Sequence, residues 1–315
     1  MAGGNVSERA SFPQTAQQPT LGSEDLARCG SISSWRRIFE VPAVEPPTLG
    51  LHFLRAAEDT TTIVYSLGAN PTRPSKDGDT EKAHLILGQE GASTLGVGAV
   101  VWDCGEDLAT FLGRQRFLVA GMRVLDLGTG TGIAGLAAAQ CGAREVILTD
   151  HPALENLVRS NVERNAGFAK CSVSFSPFDW ENTTAEEIDL ASPDDPFDLV
   201  LASDCVYEPA AFLALKKALL AVCGPQTILV MAYKRRLDRE KDFFEDFESD
   251  FDVALVAAHH HQPLVASSGL AKAAARSSSP NARGVYMLLA ARRGYRGDNS
   301  TINSRLLLDA LRVVR

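Results

Sequence analysis

From residue 122 onward the chain alternates short apolar runs with stretches whose apolar residues recur at helical spacing. The pattern predicts strands at 123–127, 145–149, 172–175, 197–202, 227–233, 252–257 and 285–290. It predicts helices at 132–140, 152–165, 212–222 and 238–251. The run 197–202 is uniformly apolar, as expected of a strand covered on both faces. In the helix 152–165, Leu154, Leu157 and Val162 fall roughly on one side. Strands that alternate with helices imply an α/β fold, a mostly parallel sheet with helices on both faces.

Upstream the rhythm is weaker. Two β-like runs, 51–54 and 62–65, precede a polar loop at 70–82. The segment Gly96-Val97-Gly98-Ala99-Val100-Val101-Trp102 then leads into a helical pattern marked by Leu108, Phe111 and Leu112. Residues 1–47 are rich in Ser, Gln, Pro, Gly and Ala and are expected to form a flexible leader, with a short helix around Trp35-Arg36-Arg37-Ile38-Phe39. A long Ala/Ser-rich loop spans 261–284, and the tail from 296 to 315 ends in an amphipathic pattern at 306–314. The expected organisation is leader 1–47, one domain 48–295 divided into a β extension 48–95 and a core 96–295, and tail 296–315. No internal repeat is evident.

Composition narrows the partners. The chain has 315 residues, 45% of them hydrophobic, enough to bury a full-sized core. A formal net charge of −8 argues against a general nucleic-acid binder and suits a basic protein or peptide partner. The six cysteines form no C-x-x-C pair, which points to free thiols in a reducing compartment. No apolar run approaches the roughly 18–20 residues of a membrane span. Neither a signal peptide nor a transit peptide is legible at the N-terminus. The expectation is a cytoplasmic protein, with nuclear access left open, that acts as a monomer without direct contact to nucleic acid or membrane. His259-His260-His261 has no matched acid or cysteine ligand and reads as a polar cluster at a strand end, so no metal site is expected.

The candidate chemistry lies at Val124-Leu125-Asp126-Leu127-Gly128-Thr129-Gly130-Thr131-Gly132. A strand that ends in a glycine-rich turn and opens a helix makes a ligand cradle. Glycine lets backbone approach closely, and the helix start offers free N–H groups. Gly130-x-Gly132-x-x-Gly135 also matches the dinucleotide fingerprint, a weak match taken alone. Asp150 ends the next strand about 20 residues on, placed to accept hydrogen bonds from ribose hydroxyls. Together these elements indicate an adenosine-containing ligand and no more. Asp126, just before the first glycine, would repel a pyrophosphate but suits the ammonium of an amino-acid tail.

At Ser203-Asp204-Cys205-Val206-Tyr207 the chain resembles methyltransferase family 16, seven-β-strand enzymes that are chiefly protein-lysine methyltransferases. The resemblance is carried by Val101-Trp102-Asp103, the span 124–135, Leu148-Thr149-Asp150, Phe178-Asp179-Trp180, Asp204-x-x-Tyr207 and Ala232-Tyr233-Lys234-Arg235-Arg236, over roughly residues 96 to 290. It implies a doubly wound, seven-stranded, mostly parallel, Rossmann-like sheet of the class I methyltransferases, carrying an N-terminal β extension. It also implies S-adenosyl-L-methionine as cofactor. On that resemblance Trp102 packs by the methionine end, and Gly128, Thr129, Gly130 and Gly132 line the cofactor. Asp150 holds the ribose, Asp179 and Trp180 border the adenine, and Ser203 contacts the cofactor from the fourth strand. Asp204 and Tyr207, the candidate catalytic pair, shape the lysine channel, Asp204 by attracting the ammonium. The implied activity is protein-lysine N-methylation of a cytosolic non-histone protein. Other nitrogen acceptors (an N-terminal amine, Arg, His or a small amine), a nicotinamide-dependent oxidoreductase and a non-catalytic scaffold are the alternatives.

Overall fold

The structure is a computed structural model that describes residues 61–67, 83–182, 195–236, 238–256 and 285–294. The leader, the run 51–54, the loops 70–82 and 261–284, the histidine cluster and the tail all lie outside the described residues.

Seven strands form one sheet: β3 (Arg123–Leu127), β4 (Glu145–Asp150), β5 (Ser172–Pro177), β6 (Leu199–Ser203), β7 (Ile228–Lys234), β8 (Phe251–Val256) and β9 (Val285–Arg292). Their order is β5-β4-β3-β6-β7-β9-β8. The first four pairings are parallel, whereas β9 runs antiparallel to both β7 and β8. The order reverses between β3 and β6, so the carboxyl ends of these two strands flank a crevice where doubly wound sheets bind ligands.

The strand sequences explain why the sheet is covered on both sides. Along β3, Val124 joins one hydrophobic cluster and Leu125 and Leu127 join another. The first cluster packs under helices α1 (Asp103–Arg114), α2 (Ile133–Cys141) and α3 (Glu155–Asn165). The second packs under α4 (Phe212–Val222) and α5 (Glu240–Phe247). Leu125, Val200 and Leu229 are wholly buried. Each fully buried aliphatic side chain of this size contributes roughly 1.5–3 kcal/mol. Every residue of α2 is buried, which accounts for its Ala-rich, apolar sequence and lack of a polar face. It stops at Gly142, whose left-handed backbone lets its N–H reach the Ala138 and Ala139 carbonyls.

Two predicted helices differ in extent. The predicted helix 238–251 ends at Phe247. Beyond it the Ser249 hydroxyl bonds the Asp246 carbonyl and Asp250, which draws the chain out of helix. Phe251 then starts β8 and stacks on Phe247, ring centroids 4.2 Å apart. The predicted helix 152–165 begins with a tight 3₁₀ turn at Pro152–Leu154, capped by His151, before α3 proper.

A separate hairpin, β1 (Thr61–Leu67) against β2 (Ala83–Gln89), was only half legible. The run 62–65 falls on β1, but β2 was missed. Leu85 and Leu87 on β2 are wholly buried, while its far edge is bonded to α3. Asn161 accepts from the Gly88 N–H and donates to the Gly88 carbonyl, and Asn165 treats Ile86 in the same way. The Asn161 amide also donates to the Thr131 carbonyl of the glycine turn.

Cys104, Cys141, Cys171, Cys205 and Cys223 are free thiols. Among the described residues no helix is long and apolar enough to cross a membrane, and no cluster of acids, histidines and cysteines could hold a metal ion.

Candidate active site

The glycine turn follows β3 directly. Gly128 and Gly130 hold φ values of 66° and 57°, left-handed backbone that favours glycine. Space decides the matter too. A Cβ on Gly128 would lie 2.7 Å from the Trp180 ring and 3.1 Å from the Cys205 sulfur, and one on Gly130 would lie 3.0 Å from the Gly98 carbonyl. The neighbouring strand pins the turn: Thr129 N–H donates to the Thr149 carbonyl, and Gly130 N–H to Asp150 Oδ2 at 2.8 Å.

Asp126 sits behind the turn, fully buried. Its Oδ2 accepts from the Thr129 hydroxyl at 2.6 Å and from Gly135 N–H at 2.8 Å. Its Oδ1 has no hydrogen-bond partner. Burial pushes this carboxyl up to about 6, against the two hydrogen bonds that favour its charged form. Burial also raises Asp150, whose oxygens accept from the Gly130 and His151 N–H groups.

A cavity of about 270 Å³ opens over the turn. Small-molecule sites usually measure roughly 300–1,000 Å³, so it falls just below that range. Trp102, Gly128, Thr129, Gly130, Asp150, Trp180, Ser203, Asp204 and Tyr207 all line it. Residues from five separate stretches of sequence therefore meet at one place. Three predicted residues stand elsewhere. Asp126 faces the turn's own Thr129 and Gly135 rather than the cavity wall. Gly132 caps the start of α2. Asp179 bends back to accept from Asn182 and Glu181, and its carboxyl is lowered mainly by the Asn182 amide.

Other lining residues were not singled out from sequence: Val97, Gly98, His151 and Cys205. Trp102 holds the near wall by donating from its indole N–H to the Val97 carbonyl at 2.9 Å. Cys205 lies deep beside Gly128, and burial raises its thiol well above the ordinary range. The pairing of Gly98 with Gly96 was the one signal that could have flagged this wall, since glycine marks close backbone approach.

Asp204, the expected ammonium-attracting acid, has a partner within the protein. Asp204 has φ 59°, the one non-glycine residue in the left-handed region among those described. Its N–H donates to the Ala232 carbonyl on β7. Both carboxylate oxygens are taken by Arg236, Nη1 to Oδ1 at 2.7 Å and Nη2 to Oδ2 at 2.6 Å. A fork-to-fork pair of this kind is charge-assisted and directional. Its side chain is 8% exposed, so it is not a solvated lone charge. Tyr207, by contrast, is 42% exposed at the cavity mouth. Its phenol is raised, first by burial, then by Cys205 and by the surrounding carboxylates.

A doubly wound sheet with β9 inserted antiparallel beside β7, a glycine cradle after β3 and an acid at the end of β4 defines the class of S-adenosylmethionine-dependent methyltransferases. A family model described as lysine methyltransferase matches residues 79–250. Protein N-lysine methyltransferase METTL21A of Danio rerio is 33% identical over 170 residues, covering 54% of this chain and 76% of that protein. The Mus musculus METTL21A is 31% identical over 180 residues, 57% of this chain and 79% of that protein. EEF1A lysine methyltransferase 3 of Mus musculus is 33% identical over 164 residues, 51% of this chain and 66% of that protein. The chain belongs to the lysine methyltransferase family and is an S-adenosylmethionine-dependent methyltransferase.

Proposed function

We propose that the cavity over the glycine turn is the methyl-transfer site, with the cofactor against β3 and β4 and the substrate lysine arriving past Tyr207. One observation carries this reading: the glycine cradle, Asp150 and the Asp204-x-x-Tyr207 loop face a single cavity. The residues fit the cofactor. Gly128 and Gly130 leave no room for a Cβ, and Asp150 retains lone pairs beyond its two backbone donors.

S-adenosylmethionine supplies a methyl group already activated on a sulfonium. The protein's own residues bind, align and exclude water. Asp150 accepts from the ribose hydroxyls, and the Thr129 and Gly130 backbone lines the sugar and tail. Trp102 borders the methionine end and Trp180 the adenine end. Asp179, turned toward Asn182, acts by fixing the Trp180 loop. The lysine must lose its proton, which for an unperturbed side chain at pH 7 costs roughly 4–5 kcal/mol. Partial burial under Tyr207 and the nearby sulfonium both lower that barrier. The phenol gives the amine a ring face and a hydroxyl acceptor.

The acceptor we favour is a non-histone protein of the cytosol, modified by a monomeric enzyme that contacts neither nucleic acid nor membrane. Incubating the native protein with S-adenosyl-L-[methyl-³H]methionine and a cell lysate is expected to label a discrete protein on lysine, identified by mass spectrometry. Label on another residue type would reverse the acceptor assignment. Calorimetric binding of NAD, with none of S-adenosylhomocysteine, would reverse the cofactor assignment.

A further inference from the structure

The carboxyl end of β7 carries a set of ionic contacts that methyl transfer as described does not use. Arg236 grips both oxygens of Asp204. Its Nη1 also donates to the Lys234 carbonyl, and its own N–H donates to Glu240 on α5. From α1, the buried Cys104 thiol is raised well above its ordinary range, first by burial and then by Asp204, while the neighbouring Asp103 pairs with Lys234 at 2.8 Å. Glu240 is held in turn by the buried Tyr233 hydroxyl. Asp204 lines the cavity together with Tyr207 and Asp150, and the Tyr207 phenol also feels Cys205 and Glu181.

Asp103 is thus matched by Lys234, and Arg236 is the cation that cancels Asp204 itself. Burial works against the Arg236 guanidinium, but its bonds to Asp204 outweigh burial and keep it charged. An isolated carboxylate at this position would hinder the reaction, because it would hold an arriving lysine as ammonium, and ammonium has no lone pair to give. Paired with a guanidinium, the same carboxylate keeps its lone pairs and its geometry without a net negative field.

We propose that Arg236 is a positioning residue for methyl transfer, fixing Asp204 in its left-handed backbone conformation and cancelling its charge so that the acceptor amine reaches the cofactor neutral. This rests on the lysine-methylation reading above. The proton leaves the ammonium for water before attack, the amine lone pair forms the new N–C bond, and the C–S bond breaks with its electrons going to sulfur. Arg236 touches none of these atoms and acts through Asp204.

The two charges of the pair oppose each other, so removing them singly moves the amine in opposite directions. A charge at this range shifts a neighbouring group by about one unit or more. Initial rates of [³H]methyl transfer to the labelled lysate protein, from about pH 6 to about pH 10 at saturating cofactor, read this shift. In Arg236→Gln the acid limb is expected to move up by about one unit, so that the rate near neutral pH falls about tenfold and recovers near pH 10. In Asp204→Asn, whatever the remaining rate, the limb moves down. Arg236→Lys keeps the charge and leaves the limb in place. Binding of S-adenosylhomocysteine by calorimetry verifies that each variant is folded, and if Arg236→Gln fails that check the opposite shift in Asp204→Asn still decides. Limbs that stay fixed in both variants, or move the same way, overturn the inference while leaving the lysine reading intact. A native enzyme that labels no lysine would overturn both.

Discussion

The two halves of the cavity are built by different means. On the β3–β4 side, backbone forms the wall: Gly128 and Gly130 permit close approach, and their positions are fixed by a Thr129–Thr149 backbone bond and a single contact to Asp150. On the β6–β7 side, side chains line it, Asp204 and Tyr207 among them, and a charge network stands behind: Asp204, Arg236, Lys234 and Asp103 are joined in pairs over as many as 131 residues of sequence. Backbone presents one unvarying surface, which suits an unvarying cofactor. Side-chain charge sets the local field, which matters where an acceptor must change its protonation state.

The largest effect separates the halves from the acceptor side. Asp204→Ala leaves a largely buried guanidinium without its partner, and breaking such pairs costs about 3 kcal/mol or more. Urea unfolding should show that loss, and [³H]methyl transfer should vanish, while S-adenosylhomocysteine still binds to the folded fraction. If cofactor affinity falls in step, the halves are not separable.

The next effect concerns acidity behind the glycine turn. The Asp126 carboxyl, about 6 in the fold, lies above its ordinary 3.8, so the fold favours its protonated form. Its contribution to stability is complete below about pH 4 and is lost as pH rises through 6. Relative to Asp126→Asn, the native protein should therefore gain up to about 3 kcal/mol as pH falls from about 7 to about 4. Asp150 shifts in the same direction, whereas Asp179, Asp195 and Asp250 are lowered and lose stability on acidification. The comparison of variant with native protein isolates Asp126 from these opposing groups. A difference that does not vary with pH would show that its carboxyl is not shifted.

Asn161→Ala leaves the Gly88 and Thr131 backbone groups unsatisfied and should cost about 2 kcal/mol. Hydrogen exchange should quicken at Ile86 and Gly88 first, before the seven-stranded sheet opens. Gly128→Ala is the smallest change to the fold, about 1–2 kcal/mol for its left-handed backbone. Yet the methyl group displaces Trp180, so calorimetry should show a tenfold or greater loss of S-adenosylhomocysteine affinity on the order expected for about 1.4 kcal/mol. Unchanged affinity would break the claim that backbone shapes the cofactor half.

What the sequence disclosed follows the same division. The strand 123–127 is as predicted because a five-residue apolar run before glycines is a local signal. The Gly128 and Gly130 cradle and Asp150 were legible for the same reason, all within about twenty residues. Arg236 was not given a role, because nothing near it in sequence marks a partner 32 residues away. Asp204 is legible as an acid at a strand end, but not its pairing with that guanidinium. β2 was overlooked because Gly88 and the polar flanks blur its alternation, and because its order depends on two asparagines more than seventy residues distant. The end of α5 was overrun since Phe243, Phe247 and Phe251 keep helical spacing into a strand that stacks on the same aromatic column.

The bonding of the hairpin to α3 has a wider consequence. Four residues of α-helix advance about 6 Å, and two residues of strand advance about 6.7 Å. Asn161 and Asn165 thus meet Gly88 and Ile86 almost in step, and the helix takes the place of a neighbouring strand along that edge of β2. A mount that grips peptide groups constrains few of the side chains it carries. The hairpin can diverge in sequence and stay in place, so long as the two asparagines, the buried leucines and Gly88, where a Cβ would lie 2.9 Å from Arg164, remain. A rigid catalytic body can in this way acquire new surface features over evolutionary time without reworking its centre.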